Sequence, residues 1–572
     1  MKLPIPVSSL TYDNSDYTIA VVSILAILKK NNIILSKASV FKLFITIMFC
    51  LSSCETGVQD KKSTDLQTGI CVYGGTAAGV MASIQVAKMG AKVLLIAPEK
   101  HLGGMSVNGL GGSDINNHKG FKNDEAIGGL ALEFYTRVAA HYGNTLDSNS
   151  RKGRDIWRFE SSVAEKIIGT MLSEYDINIL KHERIISEPG AVALEGKRIT
   201  KIKLESGKVI TAKYFIDASL EGDLLYRAGI STYIGREGND QYGETKNGIR
   251  EENTYRQFTV SVDPYIIPGN AESGLIPTIQ GEPLGIPGAA DHRIQAYCFR
   301  ACLTNNEENR VPFIKPVGYD PGQYEIYLRY IEAGGNLYKP RVNLPNRKTD
   351  LGAWHDLSHN LYGMNHDYPG GNYVVRDSII KGHLTFTQGL FYFLANDSRV
   401  PKAIRSEWSK WGTTKDEFVD NDGWPHIFYI REARRMVSDY VITEHHTKGD
   451  TAVAVIDPVA MAYWPPDTHH VRRIVKDGVA YNEGFVFGGD DWAPFGISYQ
   501  SLVPKKEECI NLITPTCLSS THVAYGAIRL EWTFMALGQA AGTAAVIAFK
   551  DEIPIQNVPY SSLKSSLLAG NQ

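Results

Sequence analysis

Six residues have the types and the spacing to wrap a phosphate. Gly74-Gly75-Thr76-Ala77-Ala78-Gly79 follows directly on the apolar run Ile70-Cys71-Val72-Tyr73, which reads as a buried strand. Residues 80–89 then place Val80, Met81, Ile84 and Ala87 at helical spacing. A tight turn into a helix start offers free N–H groups and the positive end of the helix dipole, the two things a pyrophosphate needs. Gly74 permits the turn, Gly75 lies within it, and Gly79 lets the helix pack closely on the strand. Ala77 and Ala78 open the helix, and the Thr76 hydroxyl stands where it can donate to the phosphate. Gly90 ends the helix and residues 92–97 read as a second buried strand, which completes a dinucleotide-binding unit. The acid that usually closes this strand and holds ribose hydroxyls is absent at Ala97, so Glu99 is the nearest substitute. His101-Leu102-Gly103-Gly104-Met105 comes next, and repeated glycine there lets chain and extended ligand lie close together.

Other groups with chemical potential lie far downstream. Arg431, Arg434 and Arg435 have helical spacing, which predicts a shared face able to clamp a carboxylate or oxyanion. The same residues equally suit an ion-pair cluster with Glu432, Asp439 or Glu444. Cys298 and Cys302 are four apart and can share a helix face, as buried small residues or as a metal or redox pair. His445-His446 and His469-His470 are adjacent pairs, a poor arrangement for chelation, and no metal site is expected.

The GGTAAG turn followed by HLGGM resembles the FAD-dependent oxidoreductases that carry a GGTxAG turn and HLGGM, within the broader glutathione-reductase-like flavoproteins. Further blocks fall in the expected order. Phe215-Ile216-Asp217-Ala218-Ser219-Leu220-Glu221-Gly222-Asp223-Leu224 looks like the second flavoprotein motif, where a strand passes the cofactor. Gln295-Ala296-Tyr297-Cys298-Phe299-Arg300, Asn309-Arg310-Val311-Pro312 and Arg431-Glu432-Ala433-Arg434-Arg435-Met436 resemble segments of the family's inserted region. Tyr499-Gln500-Ser501-Leu502-Val503-Pro504 and Ser520-Thr521-His522-Val523-Ala524 look like the segment that returns to the flavin.

The resemblance implies FAD as cofactor, held by residues 74–79, Glu99, Gly103, Gly104, Met105, Ala218 and Ser219. It implies His522 as the proton acceptor, or as a group bonded to flavin or backbone. Arg435 and Arg529 become catalytic anion-binding candidates, and Gln295, Tyr297, Arg300 and Arg431 line the substrate side. Residues 533–549 read as a helix rich in small residues, among them Gly538, Ala541 and Gly542. Either its positive end stabilises the reduced flavin with Gly542 against the cofactor, or it is a packing helix.

Positioning these residues calls for an α/β fold: a three-layer Rossmann-like FAD-binding domain, split in sequence, with an inserted α+β substrate domain. The expected parts are a leader (1–53), a tether (54–67), the first part of the FAD domain (68–234), the insertion (235–485) and the return with the terminal helix (486–572). The 572 residues are 43% hydrophobic and 21% charged, ordinary globular composition, and the net charge of -3 gives no footprint for nucleic acid. The leader pairs lysines with a short apolar stretch and ends in Leu51-Ser52-Ser53-Cys54, which resembles a bacterial lipobox. It implies lipidation at Cys54 and an extracytoplasmic protein anchored to a Gram-negative-type membrane. No arginine precedes Arg137, which excludes a twin-arginine signal. The expected activity is hydride exchange between flavin and a polar organic substrate, with a sugar or glycan fragment suggested by location and aromatic content. No second glycine-rich unit serves a nicotinamide, so the acceptor is a quinone, oxygen or a carrier protein. The alternatives are a non-catalytic, lipid-anchored glycan-binding protein on a flavoprotein scaffold, favoured by Thr76 and Ala97, and an NAD-dependent Rossmann enzyme, opposed by HLGGM and the split sheet.

Overall fold

Residues 70–73 are apolar throughout because their strand is covered on both faces. The computed structural model describes residues 65–572 apart from 119, 253–254, 450–452 and 489–490. The expected leader, Cys54 and most of the tether lie outside the described residues. The central sheet is built from β1 (Leu66–Tyr73), β2 (Val93–Ala97), β3 (Ile177–Lys181), β4 (Val192–Glu195), β5 (Arg198–Lys203) and β6 (Val209–Asp217), in the order β3-β2-β1-β6-β5-β4. Strands β3, β2, β1 and β6 are parallel, and β4 and β5 are antiparallel additions. β7 (Leu512–Ile513) joins β6 in parallel at Phe215–Ile216, beyond the point where β5 pairs with Val209–Thr211. The sheet is therefore completed only when the chain returns, as the split Rossmann-like reading requires.

Alternate residues of the strands feed opposite layers. Ile70, Val72 and Leu95 belong to one core, and Cys71, Tyr73, Leu94 and Ile96 to the other. Five helices matter for the site: α1 (Ala77–Lys88), α2 (Ser161–Ser173), α3 (Tyr373–Asn396), α4 (His522–Ile528) and α5 (Glu531–Asp551). α5 lies directly on α1. A Cβ at Gly538 would sit 2.2 Å from the Ala78 carbonyl oxygen, and one at Gly542 2.7 Å from that of Ala82. The small residues of the terminal helix thus serve helix-helix contact, and Gly542 packs on α1 rather than on cofactor. α5 is long and apolar enough to cross a membrane, but 89% of its apolar window is buried in the protein.

A further core belongs to the insertion. It combines α3 with an antiparallel sheet ordered Arg310–Pro312, Gly412–Thr414, Ala301–Thr304, Lys348–Leu351. Not all of residues 235–485 follow it: Phe428, Ile430, Ala433, Ile442, Val459 and Trp464 join the core of the main sheet. Two helical expectations fail here. Cys302 lies in the strand Ala301–Thr304 and Cys298 in a bridge to Tyr429, so the two are spaced along extended chain, about 13 Å apart by strand rise. The arginine cluster is extended as well, with Arg435–Met436 paired to Thr232–Tyr233. Successive side chains then point to opposite sides, which sends Arg434 to Asp223 and Arg435 to Glu237.

Gly538→Ala is expected to lower unfolding stability by about 1–3 kcal/mol, because its methyl meets backbone that cannot yield. Gly169→Ala in α2, with nothing within 4 Å of the added carbon, is expected to raise it by about 0.4–1 kcal/mol. Urea unfolding of the two variants measures both, and a neutral Gly538→Ala would refute the close α1–α5 contact.

Candidate active site

The turn after β1 is held by backbone. Gly74 has φ +114, and a side chain there would run into the Ser219 amide at 2.4 Å. A Cβ at Gly79 would lie 2.0 Å from the Gly74 carbonyl, so both glycines are sterically required. Thr76 departs from expectation. Its Oγ1 donates to the Ala218 carbonyl (2.7 Å) and accepts from the Gly79 amide (3.1 Å), which makes it the N-cap of α1 and occupies the hydroxyl. The donors left for a phosphate are the unpaired amides that open α1, at Ala77 and Ala78. The Gly103 amide binds the Gly75 carbonyl at 2.7 Å, tying the HLGGM segment to the turn. Gly104, at φ +60, lies between the two helix starts: its Cβ would be 3.1 Å from the Ala77 nitrogen and 3.6 Å from Glu531 Oε2.

Beside these helix starts is a cavity of about 420 Å³ lined by Thr76, Glu99, Gly104, Ser219, Glu221, Tyr368 and Arg376, among others. Glu99 presents a buried Oε2 with no partner among the described residues, and burial, reinforced by Glu221, pushes its carboxyl up to about 7. An unsatisfied acid beside an anion-binding helix start suits the ribose and pyrophosphate of FAD, so the residues present fit the cofactor. Of the expected cofactor residues, Thr76, Glu99, Gly104 and Ser219 line this cavity. Ala218 instead packs under Gly74 and Gly79, and Gly103 and Met105 are buried supports. Glu221, Tyr368 and Arg376 escaped the sequence. Tyr368 donates to Glu221 (2.9 Å), while Arg376 forks onto Asp223 (2.7 and 2.9 Å). Only the Glu221-Gly222-Asp223 triplet hinted at them. At the rim His101 and His426 stack at 3.8 Å and share the two oxygens of Asp420 (3.1 and 2.8 Å). Their ligand atoms lie within 4.8 Å of one another, a grouping that spacing did not reveal, but the Lys100 ammonium also holds Asp420 and counters a bound cation.

A second cavity, of about 260 Å³, lies beyond a shared wall. In the stretch 427–430, Ile427, Phe428 and Ile430 face the first cavity and Tyr429 the second. Arg529 and Leu530 line the second, whereas the next residue, Glu531, approaches Gly104. Arg300 and Arg529 are the expected residues found here. Arg300 is forked by Asp350 (2.7 and 2.6 Å), and Arg529 donates to the Tyr429 hydroxyl and the Asp467 carbonyl, both at 2.8 Å.

Four other expected residues, His522, Gln295, Tyr297 and Arg435, meet around Glu432 instead of lining this cavity. His522 opens α4 behind the Thr521 cap, and its Nδ1 lies 2.8 Å from both Glu432 oxygens. Nε2 is buried without a partner among the described residues, and so is Nε2 of Gln295. Tyr297 donates its hydroxyl to the Glu432 carbonyl and Gln295 its amide to the carboxylate. Burial would raise the Glu432 carboxyl, but His522 and Arg435 outweigh it and hold it below its ordinary range. Arg435 is no free anion clamp. It binds Glu237, Glu432 and the carbonyls of Gly235 and Ser520, so it positions Glu432. Arg431 is also turned away from the second cavity, toward the Ala296 carbonyl, Asn360 and the Cys298 thiol, and burial depresses its guanidinium.

Glu531 at the start of α5 is the remaining residue that sequence did not single out. A helix N-terminus favours a carboxylate by about 0.3–1 kcal/mol, up to ~2 when partly buried. Burial wins, pushing Glu531 from 4.5 up to about 8. The native state then keeps a proton that the unfolded chain has released, so stability falls as pH rises from 4.5 toward 8. Glu531→Gln is expected to flatten this fall by on the order of a few kcal/mol in melts of the cofactor-free protein. An unchanged slope would mean that Glu531 is ionised throughout.

A family model for FAD dependent oxidoreductases matches residues 69–567. No curated protein matches the chain. Among solved structures, L-proline dehydrogenase from P. horikoshii is 16% identical with a TM-score of 0.21, over 30% of this chain and 59% of that one. L-amino acid deaminase from Proteus vulgaris is 12% identical with a TM-score of 0.22, over 31% and 54%. The match thus spans less than two thirds of either enzyme. With its phosphate-binding turn, cofactor cavity and family match over nearly the whole described length, the chain belongs to the FAD dependent oxidoreductase family and takes FAD as its cofactor.

Proposed function

We propose that the enzyme moves a hydride between FAD and a polar organic substrate of the sugar or glycan-fragment class, with reoxidation by a non-nicotinamide acceptor: a quinone, oxygen or a carrier protein. The observation that carries this reading is the pair of cavities sharing the wall 427–430, with Glu432 of the buried His522–Glu432 pair two residues beyond that wall in the chain. FAD, when bound, accepts or returns the hydride. The chain must bind the substrate, shield it from water and take the proton released with the hydride. Glu432 accepts from His522 Nδ1–H, which fixes the tautomer and leaves Nε2 as a proton acceptor. The second cavity combines Trp354, Trp464, Phe485 and Phe487 with charged groups, a lining that suits a ring with hydroxyl substituents. Lipid anchoring through Cys54 and an extracytoplasmic location belong to the same proposal and rest on the lipobox-like sequence alone.

A screen of sugars, hydroxy acids and amino acids for anaerobic bleaching of the bound flavin is expected to give a hit among the sugars. His522→Ala is expected to keep the visible flavin bands while substrate-driven bleaching slows by about 10²–10⁴-fold. Bleaching at the wild-type rate would remove His522 from the mechanism, and a colourless protein that FAD does not reconstitute would defeat the whole reading.

A further inference from the structure

The second cavity holds more positive charge than its own aspartates answer. Five arginines line it, Arg154, Arg158, Arg300, Arg341 and Arg529, against Asp114, Asp350 and Asp467. Asp350 is committed to Arg300, and Asp467 lies 3.6 Å from Arg529. Among the three lining arginines that are not exposed, Arg158, Arg300 and Arg529, Arg158 is the exception. Its side chain is only 12% exposed, and its nearest carboxylate is Asp155 at 3.9 Å, itself 81% exposed and bonded to Arg154. Nη1 donates to the Asn343 carbonyl (2.9 Å), while Nε is buried without a partner among the described residues. The Nε–Nη2 edge, where Nε has only the solvent-exposed Asp155 beyond hydrogen-bond reach at 3.9 Å, is the edge a carboxylate takes with two parallel hydrogen bonds. Burial and the neighbouring Arg154 both disfavour the Arg158 charge, so a bound anion relieves a real cost.

We infer that this cavity takes a carboxylate-bearing sugar, a pyranose acid, whose carboxylate pairs with Arg158 and whose ring lies against Trp354 and Trp464. The inference rests on the reading of this cavity as the substrate site. Its volume of about 260 Å³ is below the ~300–1,000 Å³ of ordinary ligand pockets, which selects a single ring over a chain. The three aspartates oppose a dianion and favour a monoanion whose hydroxyls they can accept from. Trp464 supplies an apolar face for the ring, and Trp354, 36% exposed and stacked by Arg256 and His355, an apolar edge.

The test titrates the FAD-loaded enzyme with glucuronate, methyl glucoside and glucose 6-sulfate, following tryptophan fluorescence and, separately, the flavin spectrum. Glucuronate is expected to bind at least tenfold more tightly than the neutral glucoside and more tightly than the sulfate. Arg158→Ala is expected to erase the preference with flavin still bound, and Arg158→Lys to keep part of it. If Arg158→Ala does not fold, the wild-type preference and its decline with ionic strength decide the matter. Equal affinity for the neutral sugar, preference for the sulfate, or an unchanged preference in Arg158→Ala overturns the inference. The fluorescence signal does not depend on flavin, so tight glucuronate binding by a colourless protein would sink the redox reading and leave this one standing.

Discussion

The contact between α1 and α5 comes close to backbone on backbone, and the site depends on it. Gly538 and Gly542 bring the late helix down onto the carbonyls of Ala78 and Ala82. Both helices then begin beside Gly104, where a side chain would crowd the Ala77 amide and touch the Glu531 carboxyl. Two helix N-termini opening on one glycine concentrate unpaired N–H groups and positive dipole ends in a small volume. A cofactor with a diphosphate at one place and a redox ring that gains negative charge at another is served by that arrangement. It requires the first and last parts of the chain to meet, so the flavin domain closes only after the insertion has been traversed.

Charge burial governs the rest of the centre. Glu432, Glu237, Arg435 and His522 are all almost fully buried, and each is tolerated because another answers it. The network places a histidine with one nitrogen fixed by a carboxylate and the other without a partner among the described residues. Arg435 looks like a substrate clamp by type, but each of its three nitrogens already has a partner, and Glu432 is one of those partners. Arg158, in the lining of the second cavity, is answered only by the exposed Asp155 at 3.9 Å, and that difference separates a structural guanidinium from one available to a ligand.

Strand alternation explains how one stretch of chain serves two cavities. Across 428–430 successive residues face opposite ways, so Phe428 and Ile430 wall the first cavity and Tyr429 the second. The same alternation undid the helical reading of 431–435: arginines four apart share a face on a helix, but in extended chain neighbouring arginines part company.

The sequence by itself determined the features ruled by local stereochemistry and close approach. Gly74 and Gly79 mark a turn no other residue fits, residues 70–73 and 93–97 carry the continuous apolar runs of doubly covered strands, and the small residues after Thr533 announce a tightly packed helix. From these the fold class and the N-terminus of α1 were legible, while the cofactor was implied by the resemblance of the GGTAAG and HLGGM segments to a flavoprotein family. Only the tertiary structure decided partners. Thr76 spends its hydroxyl on Ala218, Gly542 meets a helix, Glu432 gathers His522 and Arg435, and His101 finds Asp420 across the chain. Spacing encodes neighbours along a helix or strand, whereas the partner of a buried charge is chosen by whichever distant segment excludes water from it, and no local pattern carries that choice.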